Sequence, residues 1–359
     1  MNKKKIFFVL PDLVPGGAER VMSFIAQNIS KEYFDTSLWL AGYERSDGYS
    51  IESIKVTYFN KPRVLKAIPR LFNALRKEKP DLIISSMAHV NSALAMLSIF
   101  FPKTKFVGRE ANVLSVVGQY KKGSGLFGGS KLIKFSYKLL DMLICQSNDM
   151  LTDMKTNYGI SEKKLKKINN PITDSFKVKQ EKTNKGSIIK FVTVARLKKQ
   201  KGHLRIVKAL SKLDFPFEYT IVGDGPEKNE IFNLINECNL NEKIKHIPFT
   251  KEVSKHLSES DLFLQGSYVE GFPNCLIESC SVGTPIVAFN APGGLNEIIE
   301  EGVNGFIAEN ENDYISLIDK AVTSHKWSPK EINESVHKKF NKEKILKEYE
   351  NLFLEILNN

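Results

Sequence analysis

Short runs of apolar, often β-branched residues alternate with longer segments whose apolar positions recur every three to four residues, and the alternation runs through the chain twice. Compact apolar runs bounded by turn residues read as strands, and a 3.6-residue period reads as helix. In the first half this predicts strands at 6–10, 36–40, 82–85, 106–108 and 143–145, with helices at 18–29, 70–79 and 91–100 between them. The pattern pauses around Asn170-Pro171, and the polar, lysine-rich stretch 177–185 reads as a linker or surface loop. It resumes with strands at 189–194, 219–222, 244–247, 262–264, 286–289 and 305–307. Alternation of this kind builds parallel sheets from βαβ units. The expected fold class is therefore α/β, with two doubly wound, Rossmann-like domains facing a central cleft, the first over 1–174 and the second over 186–340. Residues 341–359, with a polar-apolar helix at 342–357 and no strand after it, stand apart as a C-terminal helix.

The length agrees, since 359 residues suit two domains of ordinary size. The apolar and charged fractions, 42% and 26%, are those of a soluble globular protein, and no apolar run approaches the ~20 residues of a membrane span. The apolar run at 6–10 is broken by Pro11-Asp12, so it reads as a buried first strand, not a signal peptide. Cys145, Cys238, Cys275 and Cys280 lack metal-ligand or redox spacing and read as reduced, core-type residues of a cytoplasmic protein.

Charge changes the picture more. The net charge of +11 is uneven: residues 1–174 carry 27 Lys and Arg against 15 Asp and Glu, and residues 175–359 carry 25 against 26. Basic residues crowd 61–79, opposed only by Glu78, and 111–140 holds Lys121, Lys122, Lys131, Lys134 and Lys138 with no acid. From 130 to 143 the lysines keep helical spacing while Leu132, Phe135, Leu139 and Leu143 fall on another face, which predicts a basic amphipathic helix for an anionic membrane surface. Such a protein would be cytoplasmic and peripheral at the inner face of the cell membrane. No recognition motif and no aromatic-basic interleaving points to nucleic acid.

Ligands of doubly wound sheets bind beyond the carboxyl ends of the strands, so the segments that follow each strand carry the candidate chemistry. After the first strand, Gly16 and Gly17 open a helix in a form that lets backbone approach a phosphate. After 189–194, Arg196 offers a planar fork of donors and Lys201 a compact charge that can meet on one anion. After 262–264 comes Glu270-Gly271-Phe272-Pro273-Asn274-Cys275-Leu276-Ile277-Glu278. Pro273 suits the first turn of a helix, which would leave Asn274, Cys275 and Leu276 presenting backbone amides to a diphosphate. Glu278 is placed to accept from ribose hydroxyls, and Glu270 lies in the preceding loop. Gly293-Gly294 leads to Glu297 at the start of a further helix, a candidate for closing over a sugar.

These elements, with Gly16-Gly17-Ala18-Glu19-Arg20, Lys201-Gly202 and Val222-Gly223-Asp224-Gly225-Pro226, occur in order along almost the whole chain. Together they resemble the retaining glycosyltransferases of the GT-B class often called family 4. The resemblance implies that the N-terminal domain takes the acceptor, the C-terminal domain takes the nucleotide sugar, and the final helix crosses back to the first domain. It implies catalytic roles for Arg196 and Lys201 on the donor diphosphate and for Glu270 on the transferred sugar, with Glu278 on the ribose. Gly17 would lie against the phosphates, and the base would sit near Pro248-Phe249-Thr250. Many members carry a sugar-contacting histidine after the fourth strand. This chain has Gly108-Arg109-Glu110 there, which leaves Arg109, Glu110 and the more distant His89 as candidates for that wall. The expected substrate is a nucleotide-diphosphate sugar, UDP-linked, carrying a hexose or N-acetylhexosamine. The expected acceptor is a glycan or a polyprenyl-diphosphate-linked oligosaccharide of envelope polysaccharide, lipopolysaccharide or capsule assembly. No Asp-x-Asp occurs, so neither a metal nor another cofactor is expected. A non-hydrolysing sugar-nucleotide epimerase and a catalytically silent nucleotide-sugar-binding subunit are the alternatives.

Overall fold

The computed structural model describes residues 3–45, 48–120, 130–173, 176–181 and 188–358. The chain forms two compact units, Met1–Thr173 with Lys342–Asn359, and Asp174–Asn341.

The first unit is built on a seven-stranded sheet of β1 (Lys4–Leu10), β2 (Phe34–Leu40), β3 (Lys55–Tyr58), β4 (Leu82–Ser86), β5 (Lys105–Arg109), β6 (Met142–Cys145) and β7 (Leu165–Lys167). Its strand order is β3-β2-β1-β4-β5-β6-β7, all parallel, so the order reverses between β1 and β4. The central strands are apolar on both faces because helices cover both, which is why they stand out in the sequence. The edge strands β3 and β7 go unpredicted: KVTY and LKK are short, polar and partly exposed. The helix predicted at 70–79 spans Val64–Glu78 and carries Pro69 inside it, burying Val64, Ala67, Leu71 and Leu75.

The final helix, Lys342–Asn358, contributes Ile345, Tyr349, Leu352, Phe353 and Ile356 to the core of this same unit. The Phe353 ring meets Phe34 and Phe8 edge-on, with centroids 6.1 and 6.5 Å away. Glu350 accepts a hydrogen bond from the Ser30 amide at 2.8 Å. Removing this helix would expose the apolar side of β1 and β2.

The amphipathic helix expected over 130–143 is shorter. An α-helix covers Ser130–Ser136, a tighter 3-10 turn covers Tyr137–Leu139, and Leu143 already belongs to β6. The buried side is Ile133, Ser136, Tyr137 and Leu140, whereas Phe135 lies on the exposed side with Lys131, Lys134 and Lys138. Lys121 and Lys122, and residues 182–185 of the expected linker, lie outside the described residues.

The second unit has six parallel strands, β8 (Ile189–Val194), β9 (Phe217–Val222), β10 (Ile244–Ile247), β11 (Leu262–Gln265), β12 (Ile286–Phe289) and β13 (Gly305–Ala308). They are ordered β10-β9-β8-β11-β12-β13, and all six match the predicted positions within two residues. The reversal here falls between β8 and β11, which pair at Leu262–Phe191 and Phe263–Val192. In doubly wound sheets such a reversal opens a crevice at the carboxyl ends, because the two connecting loops leave in opposite directions.

Candidate functional site

Lys201 and Glu270 meet across the β8/β11 reversal. The Lys201 ammonium donates to Glu270 Oε1 at 2.6 Å and Oε2 at 2.7 Å. Ser267 Oγ donates to Glu270 Oε1 at 2.5 Å. Glu270 is 5% exposed, so its charge is tolerated only because it is paired and hydrogen-bonded on both oxygens. Two glycines make the approach possible. Gly202 holds φ 62°, and a Cβ there would fall 1.7 Å from the Gly266 carbonyl oxygen. Gly293 holds φ 125° and lies so close to Glu270 that a Cβ would come within 2.4 Å of its backbone. The Glu270 amide donates to Pro292 at 2.9 Å, so the loop after β12 supports the residue from behind.

Other predicted residues gather around this pair on the same edge of the sheet. Arg196 is exposed just past β8, and the Leu197 amide beside it donates to Asp224 O at 3.0 Å, tying the loops after β8 and β9 together. The helix after β11 spans Asn274–Ser281 with Pro273 as its cap residue, one position before the first turn where it was expected. Asn274 and Cys275 are half-buried at the helix start, ahead of the intrahelical acceptors. Leu276 departs from expectation: its side chain is buried and its amide donates to Pro273 O at 3.1 Å, so it is not offered to a phosphate. Glu278 is buried on the second turn of that helix. Gly294 caps the four-residue helix Leu295–Ile298, which carries Glu297 half-buried. Phe249, after β10, is 67% exposed, an aromatic face left open to solvent at the same edge.

Three residues of this edge escape the motif reading. Ser267 is one. Gln265 is the second: it is buried, its amide lies 3.5 Å from Glu270, and its Oε1 has no partner among the described residues. His203 is the third. Its Nε2 lies 3.4 Å from the Arg196 carbonyl, and its pKa is lowered to about 4, first by burial and then by Lys201 and His246. Polar residues in otherwise apolar strand ends and helix starts are the only signal they leave in the sequence.

The enclosed space here is about 10 Å³, lined by Thr193, Lys201, Gln265, Ser267, Glu270 and Cys275, room for about one water. A groove of about 590 Å³ lies elsewhere, along β1, β2 and β3 of the first unit, lined by Lys3, Lys5, Lys31, Lys55 and Trp39. Volume favours the groove, but strand polarity favours the carboxyl edge, where ligands of doubly wound sheets bind. Chemistry also converges there, so we place the site at Lys201 and Glu270.

In the first unit, the β1/β4 reversal is flanked by Gly16 and Gly17, which start the helix Gly17–Asn28, and by His89. His89 is exposed at the second position of the helix Ala88–Ser98. Met87, between β4 and that helix, holds φ 77° and ψ 136°, a strained backbone for a residue with a side chain. Arg109 and Glu110 are a correction. Arg109 is 0% exposed and its guanidinium is spent inside the protein, donating to Tyr349 Oη at 3.0 Å, to Ser86 Oγ at 3.5 Å and to Asn170 Oδ1. Glu110 is 1% exposed and accepts from Tyr137 Oη at 2.5 Å and from the Ala111 amide at 2.8 Å. Burial, and next the Glu110 charge, hold the Tyr137 phenol well above its ordinary pKa. Neither side chain forms a sugar-facing wall in this conformation.

Family comparisons agree with this arrangement. Residues 15–176 match the model for Glycosyltransferase Family 4, and residues 174–338 match that for Glycosyl transferases group 1. The chain is 28% identical over 326 residues, covering 87% of each partner, to the N-acetylgalactosamine-N,N'-diacetylbacillosaminyl-diphospho-undecaprenol 4-alpha-N-acetylgalactosaminyltransferase of Campylobacter jejuni. Among solved structures it resembles Anabaena HepE in complex with UDP, with a TM-score of 0.80 and 19% identity over 98% of this chain and 100% of that one. It also resembles a sucrose-phosphate synthase of Thermosynechococcus elongatus, with a TM-score of 0.84 and 15% identity over 99% and 100%. The two matched regions follow one another along the chain and each falls on one of its two parallel sheets: the protein belongs to the family 4, group 1 glycosyltransferases and has the GT-B fold.

Proposed function

We propose that this enzyme transfers a hexose or N-acetylhexosamine from a UDP-sugar to a lipid-linked oligosaccharide or glycan acceptor in envelope polysaccharide synthesis, with retention at the anomeric carbon and no metal. The observation that carries the reading is the Lys201–Glu270 pair at the β8/β11 reversal, beside the start of the helix Asn274–Ser281. A diphosphate at this edge meets Lys201, Arg196 and the positive end of that helix. Glu270 then accepts from a hydroxyl of the transferred sugar, and Glu278 from the ribose. In the reaction the bond from anomeric carbon to diphosphate oxygen breaks as the acceptor hydroxyl attacks from the same face. Its proton passes to the departing diphosphate, so no protein carboxylate is needed as nucleophile. Support for a UDP donor comes from the UDP bound by HepE, and support for a lipid-linked acceptor from the diphospho-undecaprenol named for the Campylobacter enzyme.

No helix among the described residues is long and apolar enough to cross a membrane. The first unit instead presents Lys131, Lys134, Lys138 and the exposed Phe135 on one side, next to the helix Ala88–Ser98, which is followed by exposed Ile99 and Phe100. Basic residues near an anionic leaflet contribute about 1 kcal/mol each, enough for reversible docking where the acceptor resides. Thermal shift against UDP-, GDP- and ADP-sugars tests the donor, because a ligand that binds only the native state raises the melting temperature. The expected result is stabilisation by one UDP-sugar and a glycoside product. A new sugar nucleotide as product would instead mean an epimerase. Stabilisation without any turnover, hydrolysis included, would mean a binding subunit.

A further inference from the structure

Arg205 belongs to none of the motifs, yet it grips the turn that carries Glu270. It lies in the first turn of the helix His203–Leu210, and its guanidinium is sandwiched between two rings, 4.1 Å from the Tyr268 centroid and 4.0 Å from that of Phe289. Phe289 stacks in turn on buried Tyr314, with centroids 4.0 Å apart and planes within 10°. The guanidinium therefore sits in a four-layer stack that begins at partly exposed Tyr268 and ends in the core of the second unit. From that position Nε donates to Gly266 O at 2.7 Å and an Nη donates to Ser267 O. Two successive carbonyls are thus turned toward one cation, which sets the backbone from the end of β11 onward.

The same turn is clipped at a second point by Gln200. Its carbonyl accepts from the Tyr268 amide at 2.9 Å, and its side chain donates to Val269 O at 2.9 Å. The segment from Gln200 to Arg205 is therefore fastened along residues 266–269, with Lys201 next to one fastened residue, Gln200, and its partner Glu270 next to another, Val269. Ser267, whose carbonyl Arg205 holds, is also the residue whose hydroxyl holds Glu270. A planar, bidentate, stacking cation can do all this at once, whereas an ammonium cannot.

We infer that Arg205 is a positioning residue for sugar transfer, fixing the 266–270 turn so that Ser267 and Glu270 hold Lys201 where the departing diphosphate needs it. The inference rests on the proposed function, which gives Lys201 and Glu270 their roles. Arg205 touches no substrate on this account and acts through Ser267 and Glu270.

The test is steady-state kinetics of the full chain as Arg205→Lys, Ser267→Ala and the double variant. Misplacement of reacting groups by about 1 Å costs about a hundredfold. Arg205→Lys is expected to lower kcat about tenfold or more with donor KM within about threefold, since the donor contacts themselves remain. In the Ser267→Ala background the same change is expected to cost less than about threefold, because residues acting through one shared partner are not additive. A wild-type kcat in folded Arg205→Lys, or losses that multiply in the double variant, would overturn the inference. Should Arg205→Lys fail to fold, Tyr268→Ala removes only the exposed layer of the stack, and an unchanged kcat in it would be equally contrary. The ¹H–¹⁵N signal of the Lys201 ammonium, assigned with Lys201→Arg, decides the question without turnover. A shift or loss of this signal in Arg205→Lys or Tyr268→Ala supports the inference, and an unchanged signal contradicts it. If the wild type turns over no sugar nucleotide, the proposed function fails while this readout still judges Arg205.

Discussion

In the second unit a buried carboxylate and its half-buried cation stand where the strand order reverses, Glu270 after β11 and Lys201 after β8. In the first unit the reversal lies between β1 and β4; Glu19 is buried on the helix after β1, but the two most deeply buried charges stand one strand further along, at Arg109 and Glu110 after β5. The topology is shared, but the use of charge differs. Lys201 and Glu270 satisfy each other on an edge that a ligand can reach. Arg109 holds Asn170, three residues before the chain leaves the unit, and Tyr349, on the helix by which it returns. A charged residue just past a buried strand can therefore face a ligand or fasten the chain. Its partners decide which, and those partners lie far away in sequence.

The comparison breaks most visibly if the two kinds of charge are removed in turn. Arg109→Met should leave Tyr349, Ser86 and Asn170 without their donor in a dry interior and cost about 3 kcal/mol of stability. Chemical denaturation measures that loss, and titration with UDP should show affinity within about twofold of wild type. A folded, fully stable Arg109→Met with lost UDP binding would reverse the assignment of Arg109.

Phe249→Ala sharpens the ligand side of the contrast. The ring is exposed, so its loss should leave the melting temperature unchanged while weakening UDP binding about tenfold, the scale of one lost base–aromatic stack. Calorimetry reads both numbers on one sample.

The smallest effect is a pH dependence. His203 is held neutral down to about pH 4 in the fold, whereas an unfolded histidine takes up its proton near 6.5. Below that value the unfolded state binds more protons, so this residue lowers stability as pH falls from about 6.5 toward 4 and has no effect above it. The slope is at most about 1.4 kcal/mol per pH unit. In His203→Gln the stability-against-pH curve should be flatter than wild type across that window and parallel above it.

How much of this was legible in the sequence follows from the range of the interactions. The interior strands were readable because burial on both faces demands continuous apolar runs, and β3 and β7 were not because an edge needs no such run. The Lys201 and Glu270 positions were readable from motif spacing. Their pairing was not, since it joins residues 69 apart and depends on Gly202 and Gly293 letting the loops touch. The burial of Arg109 depends on Tyr349, 240 residues away, on a helix whose docking on β1 and β2 no local pattern encodes. The segment 130–143 was misread because alternative apolar sets share helical spacing, and only packing chose Ile133, Tyr137 and Leu140 over Leu132, Phe135 and Leu139.

The central claim is that Lys201 stabilises charge on a departing diphosphate. Its most direct test is the turnover of the preferred UDP-sugar by Lys201→Ala, with folding checked by circular dichroism. The account predicts a loss in kcat of about a hundredfold or more, as for removal of one charge-stabilising donor. A folded variant with an unchanged rate would contradict it.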